Sequence, residues 1–353
     1  MRQTVGDLGE RALIERIRAR VPSPPDWVLV GIGDDAAVLE PAPNTLDVQT
    51  TDALIEGIHF DRAYVSAFDV GHKALAVNLS DLAAMGAMPR AALLSLGLPA
   101  SWPVADFDDL LGGLLTLAAQ YRVALVGGNI ARSPGPLVVN VTAVGSVKPR
   151  RVLCRGGARP GDDLYVTGSV GAAVAGFASC RARAGRQAAS GSSGTGGGPG
   201  TGAEGESPAM ARSEERFRRP DPRVRFGVLL GRNRAASACV DLSDGLADAV
   251  RQVAGASGTG AVVDASLVPV NEGARQWFEG RGEDPLEAAL AGGEDYELLF
   301  TLSPRRRRLA AAVASLAGDL AVTRIGTITA DPRVVLRRDG RDSLLPEGFV
   351  HFR

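Results

Sequence analysis

The chain has 353 residues, 45% of them hydrophobic and 22% charged, with a formal net charge of -1. That length exceeds the size at which one hydrophobic core usually stops growing, so two domains are expected. The balanced charge excludes a polyanion-seeking surface, and nucleic acid is not expected as a partner.

In chain order, the amino-terminal MRQTVGDLGERALIERIRAR is an amphipathic charged segment rather than a signal peptide. No apolar run reaches the ~20 residues needed to span a bilayer, so the cytoplasm is the expected compartment and no membrane partner is expected. WVLVG, AAVLE and TLDVQTT read as strands, followed by a helix from about Gly71 to Met85 and the strand ALLSLGL. A helix from about Val104 to Tyr121, the strand VALVGG and the long strand LVVNVTAVGSV complete a first domain over residues 1–148. The Gly- and Pro-punctuated RVLCRGGARPGDDLYVTG then opens a second, 149–353. There GAAVAGFASC and LADAVRQVA read as helices, ACVD, GAVVD and ELLFT as strands, and an arginine-rich helix follows, so both domains are mixed α/β (α+β). From Ala184 to about Arg216 a Ser/Gly-rich insertion holds too few apolar side chains to offset the entropy of ordering, and it is expected to be disordered. The neighbouring RFRRPDPRVRFG reads as a solvated hinge and Arg305–Arg308 as a solvated helix face. Cys154, Cys180 and Cys239 have no metal-type spacing and read as reduced thiols.

Chemistry concentrates in carboxylates set beside Gly, Ser or Thr at strand ends and turns: Asp34-Asp35 in GIGDD, Asp52 in TTD, Asp81 in NLSD, Asp241 and Asp244 in DLSDG. Each motif alone has a structural explanation as a turn or helix cap. Together they form a set of acids that need cations, and hard oxygen ligands favour magnesium over softer metals. DLSDGLADAV also offers a helix start whose free amides attract phosphate, and GGEDYELLF repeats the pattern of paired glycines, acids and a strand. No Walker lysine motif, G-x-G-x-x-G fingerprint or protein-kinase signature is present, so a nucleotide would be held by acids and magnesium.

Taken in order, GIGDDAAVLE, TTDALIEGIHF, GHKALAVNLSDLAAMGAMP, LVGGN, RGGARPGDDLYVTG, DLSDGLADAV and GGEDYELLF resemble the thiamine-monophosphate kinase family over almost the entire chain. That family shares a superfamily with aminoimidazole-ribonucleotide synthetase, selenophosphate synthetase and a hydrogenase-maturation protein. The resemblance implies a two-domain aminoimidazole-ribonucleotide synthetase-like architecture and a homodimer paired through its amino-terminal sheets, with each active site between the two domains. It implies ATP-dependent phosphorylation of thiamine monophosphate to thiamine diphosphate with several magnesium ions; direct in-line transfer is the expected mechanism, since neutralising and positioning two anions requires no covalent enzyme intermediate. Carried over residue by residue, Asp35, Thr50, Thr51, Asp52, Asp81, Asn129, Asp241 and Asp244 are implied at the metals, with Asp34 adjacent. Gly128, Arg155 and Ser243 are implied at ATP, and His59, Glu294 and Phe349 at the thiamine phosphate. One position departs from the pattern: the family usually has an acid where this chain has Asn129 in Gly127-Gly128-Asn129-Ile130. A selenium-handling enzyme would carry a reactive amino-terminal Cys, and the first cysteine here is Cys154.

Overall fold

The computed structural model describes residues 3–191 and 207–348. From the amino terminus, α1 (Val5–Leu8) and α2 (Glu10–Arg18) precede β1 (Val28–Val30) and β2 (Val38–Leu39). Then come β3 (Leu46–Ile55), α3 (Ala67–Ala84), β4 (Met88–Pro99), α4 (Val104–Tyr121), β5 (Ala124–Ser133) and β6 (Val138–Val147). A four-stranded sheet runs in the order β3-β6-β4-β5, with β3 and β5 at its edges. β6 alternates between half-buried and buried positions, and its buried Val139, Val141 and Ala143 lie on the face that α3 covers. Ser66 caps α3, its hydroxyl accepting the Asp69 amide at 3.2 Å, so this helix starts earlier than its apolar run indicates.

The second unit begins with β7 (Asp163–Thr167), α5 (Ala172–Gly191) and α6 (Pro208–Arg218). The chain divides between Val152 and Leu153, and Pro222–Arg234, which carries α7 (Val224–Arg232), returns to the first unit. The single crossing near residue 149 expected from the sequence is therefore replaced by an interleaved division. The expected disorder over 184–216 is corrected at both flanks. α5 continues to Gly191 through residues rich in Ala, Arg and Gln, which are good helix formers. α6 starts at Pro208 behind the Ser207 cap and buries Met210 and Phe217. Residues 192–206 of that span lie outside the described residues.

After α7 the chain adds β8 (Ala238–Asp241), α8 (Leu246–Ser257), β9 (Gly260–Asp264), α9 (Glu272–Glu279), α10 (Pro285–Ala291) and β10 (Leu298–Leu302). It closes with α11 (Arg307–Leu316), β11 (Val322–Thr329), β12 (Val334–Arg338) and β13 (Arg341–Leu344). The strands of this unit form one sheet, ordered β13-β12-β9-β11-β7-β10-β8. β7, β8 and β10 are buried at every position, and apart from Asp163, Thr167, Asp241 and Thr301 they consist of apolar or aromatic residues for that reason. The pairings make β7, β8, β9 and β12 parallel, so their carboxyl ends share one edge of the sheet.

Of the two arginine runs read as solvent-facing, Arg305–Arg308 is exposed as expected, with Arg307 also reaching a buried acid, while the run from Arg216 is corrected. Arg216 and Arg218 reach the buried carboxylates of Glu297 and Glu214, and Arg307 grips the buried Asp163 at 2.6 and 2.8 Å. Phe217 and Phe226, between those arginines, are fully buried. A charge run hides such anchors because long side chains can carry their heads inward to a buried acid as readily as outward to water.

Candidate active site

In the first unit, the turn after β1 exposes Asp34 and Asp35, and the Asp34 carboxylate accepts the Asp35 amide at 2.8 Å. Gly33 makes that turn with φ 117, a conformation that favours glycine. On β3 the period of two divides the TTD triplet between faces. Thr50 and Asp52 pair in register with Ala143 and Val141 on the face covered by α3, and the Thr50 hydroxyl donates to the Asp81 carboxylate of that helix. Thr51 lies on the other face, 3.0 Å from the Thr142 hydroxyl and within reach of Asn140.

His59 sits in the turn after β3, where its Nδ1 accepts the Ile55 amide at 3.0 Å. That bond orients the ring, with Nδ1 as the acceptor. Below it the buried Lys73 of α3 donates to the His59 carbonyl at 3.5 Å. Gly128 and Asn129 lie on β5, paired with Leu94 and Ser95 of β4. Asn129 is exposed and, by register, shares the face of Thr51. β3 and β5 are opposite edges of this sheet, so three strand spacings, roughly 14 Å, separate Asn129 from the TTD triplet within one chain. One chain thus joins Thr50 to Asp81 and sets Asp52 on the same face, but does not bring Asn129 to them.

In the second unit, β8 ends at the buried Asp241, and Ser243 and Asp244 follow in the turn that starts α8. The ladder between β8 and β10 continues past both strands. The Leu242 amide donates to the Glu297 carbonyl at 2.9 Å, the Tyr296 amide to the Leu242 carbonyl at 3.0 Å, and the Glu294 amide to the Ser243 carbonyl at 2.7 Å. The DLSD and GGEDY turns are thereby zipped together, and Ser243 and Glu294 stand side by side. Glu294 and Tyr296 adopt left-handed conformations, φ 69 and 49, which cost on the order of 1–3 kcal/mol each in non-glycine residues and persist where the surroundings over-determine them. Arg155 is exposed just after Cys154, whose carbonyl accepts the Cys239 amide of β8 at 2.8 Å. Phe349 lies outside the described residues.

The residues over-determining the GGEDY turn are not evident from the sequence. Asp295 is buried, and its carboxylate accepts the amides of Gly171 at 2.6 Å and Ala173 at 3.0 Å, at the start of α5. Burial pushes this carboxyl up to about 7, opposed by those two amides, with the Glu297 charge raising it further and Arg216 lowering it. The only signal in the sequence is a pair of further acids, Asp295 and Glu297, leading into an apolar strand.

Among the described residues no group of three or more His, Cys, Asp or Glu side chains could by itself hold a metal ion. The donors present are hard oxygens in small sets, as in the Thr50–Asp81 pair. That fits magnesium, which is commonly held by one or two carboxylates together with substrate phosphates rather than by an all-protein cage.

Residues 33–147 match the family model for the N-terminal domain of AIR synthase related proteins, and residues 159–339 match the model for their C-terminal domain. The thiamine-monophosphate kinase of Escherichia coli K12 is 40% identical over 352 residues, covering 98% of each chain. That of Rhodopirellula baltica is 32% identical over 353 residues, covering 97% of each. Among solved structures, the thiamine-monophosphate kinase of Stenotrophomonas maltophilia has 39% identity and a TM-score of 0.77, covering 95% of this chain and 98% of its own. A structure described as AaThiL complexed with AMPPCP and TMP has 31% identity and a TM-score of 0.73, covering 100% and 99%. The hydrogenase maturation protein HypE, at 20% identity and a TM-score of 0.72, shares the fold.

Proposed function

Because the chain belongs to the AIR synthase related family, among its thiamine-monophosphate kinases, we propose that it phosphorylates thiamine monophosphate with ATP to give thiamine diphosphate and ADP. The observation that carries this reading is the zipped pair of DLSD and GGEDY turns in a chain that matches these kinases end to end. In the proposed reaction an oxygen of the acceptor's phosphate attacks the γ-phosphorus of ATP in line. A new P–O bond forms as the bond to the β-phosphate oxygen breaks, and that oxygen leaves with ADP. A phosphate monoester at neutral pH is already anionic, so no side chain need remove a proton. Magnesium, held by Asp35, Thr50, Asp52, Asp81, Asp241 and Asp244, would neutralise charge between the two anions. Ser243, Gly128 and Arg155 would contact ATP, and Glu294, His59 and Phe349 the thiamine phosphate. A carboxylate and an aromatic face both suit a cationic thiazolium.

A homodimer explains the two metal-site residues that stand apart. Asn129 and Thr51 share a sheet face but occupy opposite edges, and a second copy whose β5 edge meets β3 would bring its Asn129 to the TTD triplet. The exposed Leu93 and Met88 lie on β4 of the same sheet. Among the described residues no helix is long and apolar enough to cross a membrane. The three cysteines are unpaired, and two of them are buried, which suits a reducing cytoplasm.

The test is a substrate panel with purified protein, ATP and magnesium. ADP release should depend on thiamine monophosphate and be absent with thiamine, aminoimidazole precursors or selenide. Release that is independent of thiamine monophosphate would reject the assignment.

A further inference from the structure

Besides its amide bond to Ser243, the left-handed Glu294 is backed by residues outside the proposed substrate and metal sets. Behind it, the Arg216 guanidinium of α6 donates to the Glu297 carboxylate at 2.8 Å and, with the same nitrogen, to the Asp295 carbonyl at 3.2 Å. Glu297 is 1% exposed and also accepts the Thr167 hydroxyl at 2.6 Å, so one acid ties α6 to the carboxyl end of β7. Gly168 follows Thr167 with φ 60, and a Cβ there would stand 2.2 Å from Glu297 Oε1, so the glycine leaves the space the carboxylate fills. Asp295 completes the frame from the other side through its two bonds to the start of α5. The remaining charged partner of Arg216, Asp221, is at 3.9 Å and 51% exposed, too distant and too wet to set its position.

We propose that Arg216, with Glu297 and Asp295, is a positioning residue for the thiamine-phosphate side of the reaction. It lies outside the residues proposed to contact substrate and metal, and it fixes the backbone of Glu294 through the carbonyl of Asp295 and through the Glu297 carboxylate. This rests on the kinase activity proposed above and deepens it. It also gives α6 a role, since the helix that follows the Ser/Gly-rich stretch clamps the acceptor turn. The charge network makes the clamp rigid, because a buried carboxylate with a guanidinium and a hydroxyl on its oxygens has one satisfactory arrangement.

The test uses the full-length protein and two measurements. Arg216→Met alone would strand the buried Glu297 charge and risk unfolding, so the informative variant is the double substitution Arg216→Met with Glu297→Gln, which removes both charges at nearly constant volume. Hydrogen exchange without substrate reads the frame directly. The amides of Glu294 and Tyr296 should exchange at least about tenfold faster than in the wild type, while the β9 amides keep their protection. Unchanged protection at Glu294 and Tyr296 overturns the proposal, and so does equal loss across the whole unit, which would mark the network as merely structural. With substrates, KM for thiamine monophosphate should rise about tenfold, with KM for MgATP and kcat each within about threefold. Arg216→Lys, which keeps a cation opposite Glu297, should recover most of the loss. An unchanged KM for thiamine monophosphate in the folded double variant, or equal rises in both KM values, overturns the proposal. Absence of thiamine-monophosphate-dependent ADP release by the wild type would reject the kinase reading instead, and the exchange result would still decide whether the frame exists.

Discussion

Asp295 shows how one buried side chain couples local geometry to solution behaviour. Its carboxyl keeps a proton up to about pH 7 in the folded chain, against an ordinary value of 3.8. The native state therefore binds a proton that the unfolded chain releases between those values, so the contribution of this group is fully present below about pH 4 and is lost as pH rises through 7. The slope approaches at most about 1.4 kcal/mol per pH unit inside that window. Thermal melts from pH 5 to 8 should show wild-type stability falling across the window relative to Asp295→Asn, which cannot ionise. Parallel curves for the two proteins would mean that this carboxyl does not titrate there. None of this is legible in the sequence, where Asp295 stands only as the neighbour of Glu294. Its burial depends on α5, whose first amides come from residues more than 120 positions earlier.

At the scale of elements, the alternation of β6, the caps and the long apolar helices are readable because each is set by neighbours two to four residues away. α4 falls where its apolar run puts it, and α3 starts about one turn before its own. The segment from Ala184 to Arg216 defeats a compositional reading because the average runs over two helix ends as well as a Gly-rich stretch. The structure sharpens what can be removed. Ser192–Glu206 contains scarcely any large apolar side chain, and closing a loop costs only slowly more with length. Replacing those residues with a short Gly/Ser linker should leave kcat/KM within about twofold and Tm within a few degrees. Extending the deletion through Phe217 should abolish soluble protein, since it removes the buried Met210 and Phe217 along with Arg216. Expression yield and a melting curve for both deletions check this, and a large Tm loss in the shorter one would contradict it.

For the whole molecule, the sheet order makes a prediction that no single strand could. If a second copy supplies Asn129 to the TTD triplet, Asp52→Asn and Asn129→Ala should each lower turnover, by more than about a hundredfold and about tenfold respectively. Mixing the two after mild dissociation should then restore roughly a quarter of wild-type activity, because half the dimers are mixed and each of those holds one intact site. Simple averaging of the two activities, with mixed dimers confirmed by mass spectrometry, would remove Asn129 from the metal set. The sequence by itself determined the family, the mixed α/β class and most of the chemistry-bearing residue types, since short motifs at turns carry their own geometry and their order along the chain is specific. Tertiary structure alone decided which of those residues meet. Strand order placed Asn129 and Asp52 on opposite edges, the β8–β10 ladder joined Ser243 to Glu294, and Arg216 proved to be an anchor rather than surface. Such pairings are set by long-range strand order and burial, and neither residue type nor spacing along the chain encodes them locally.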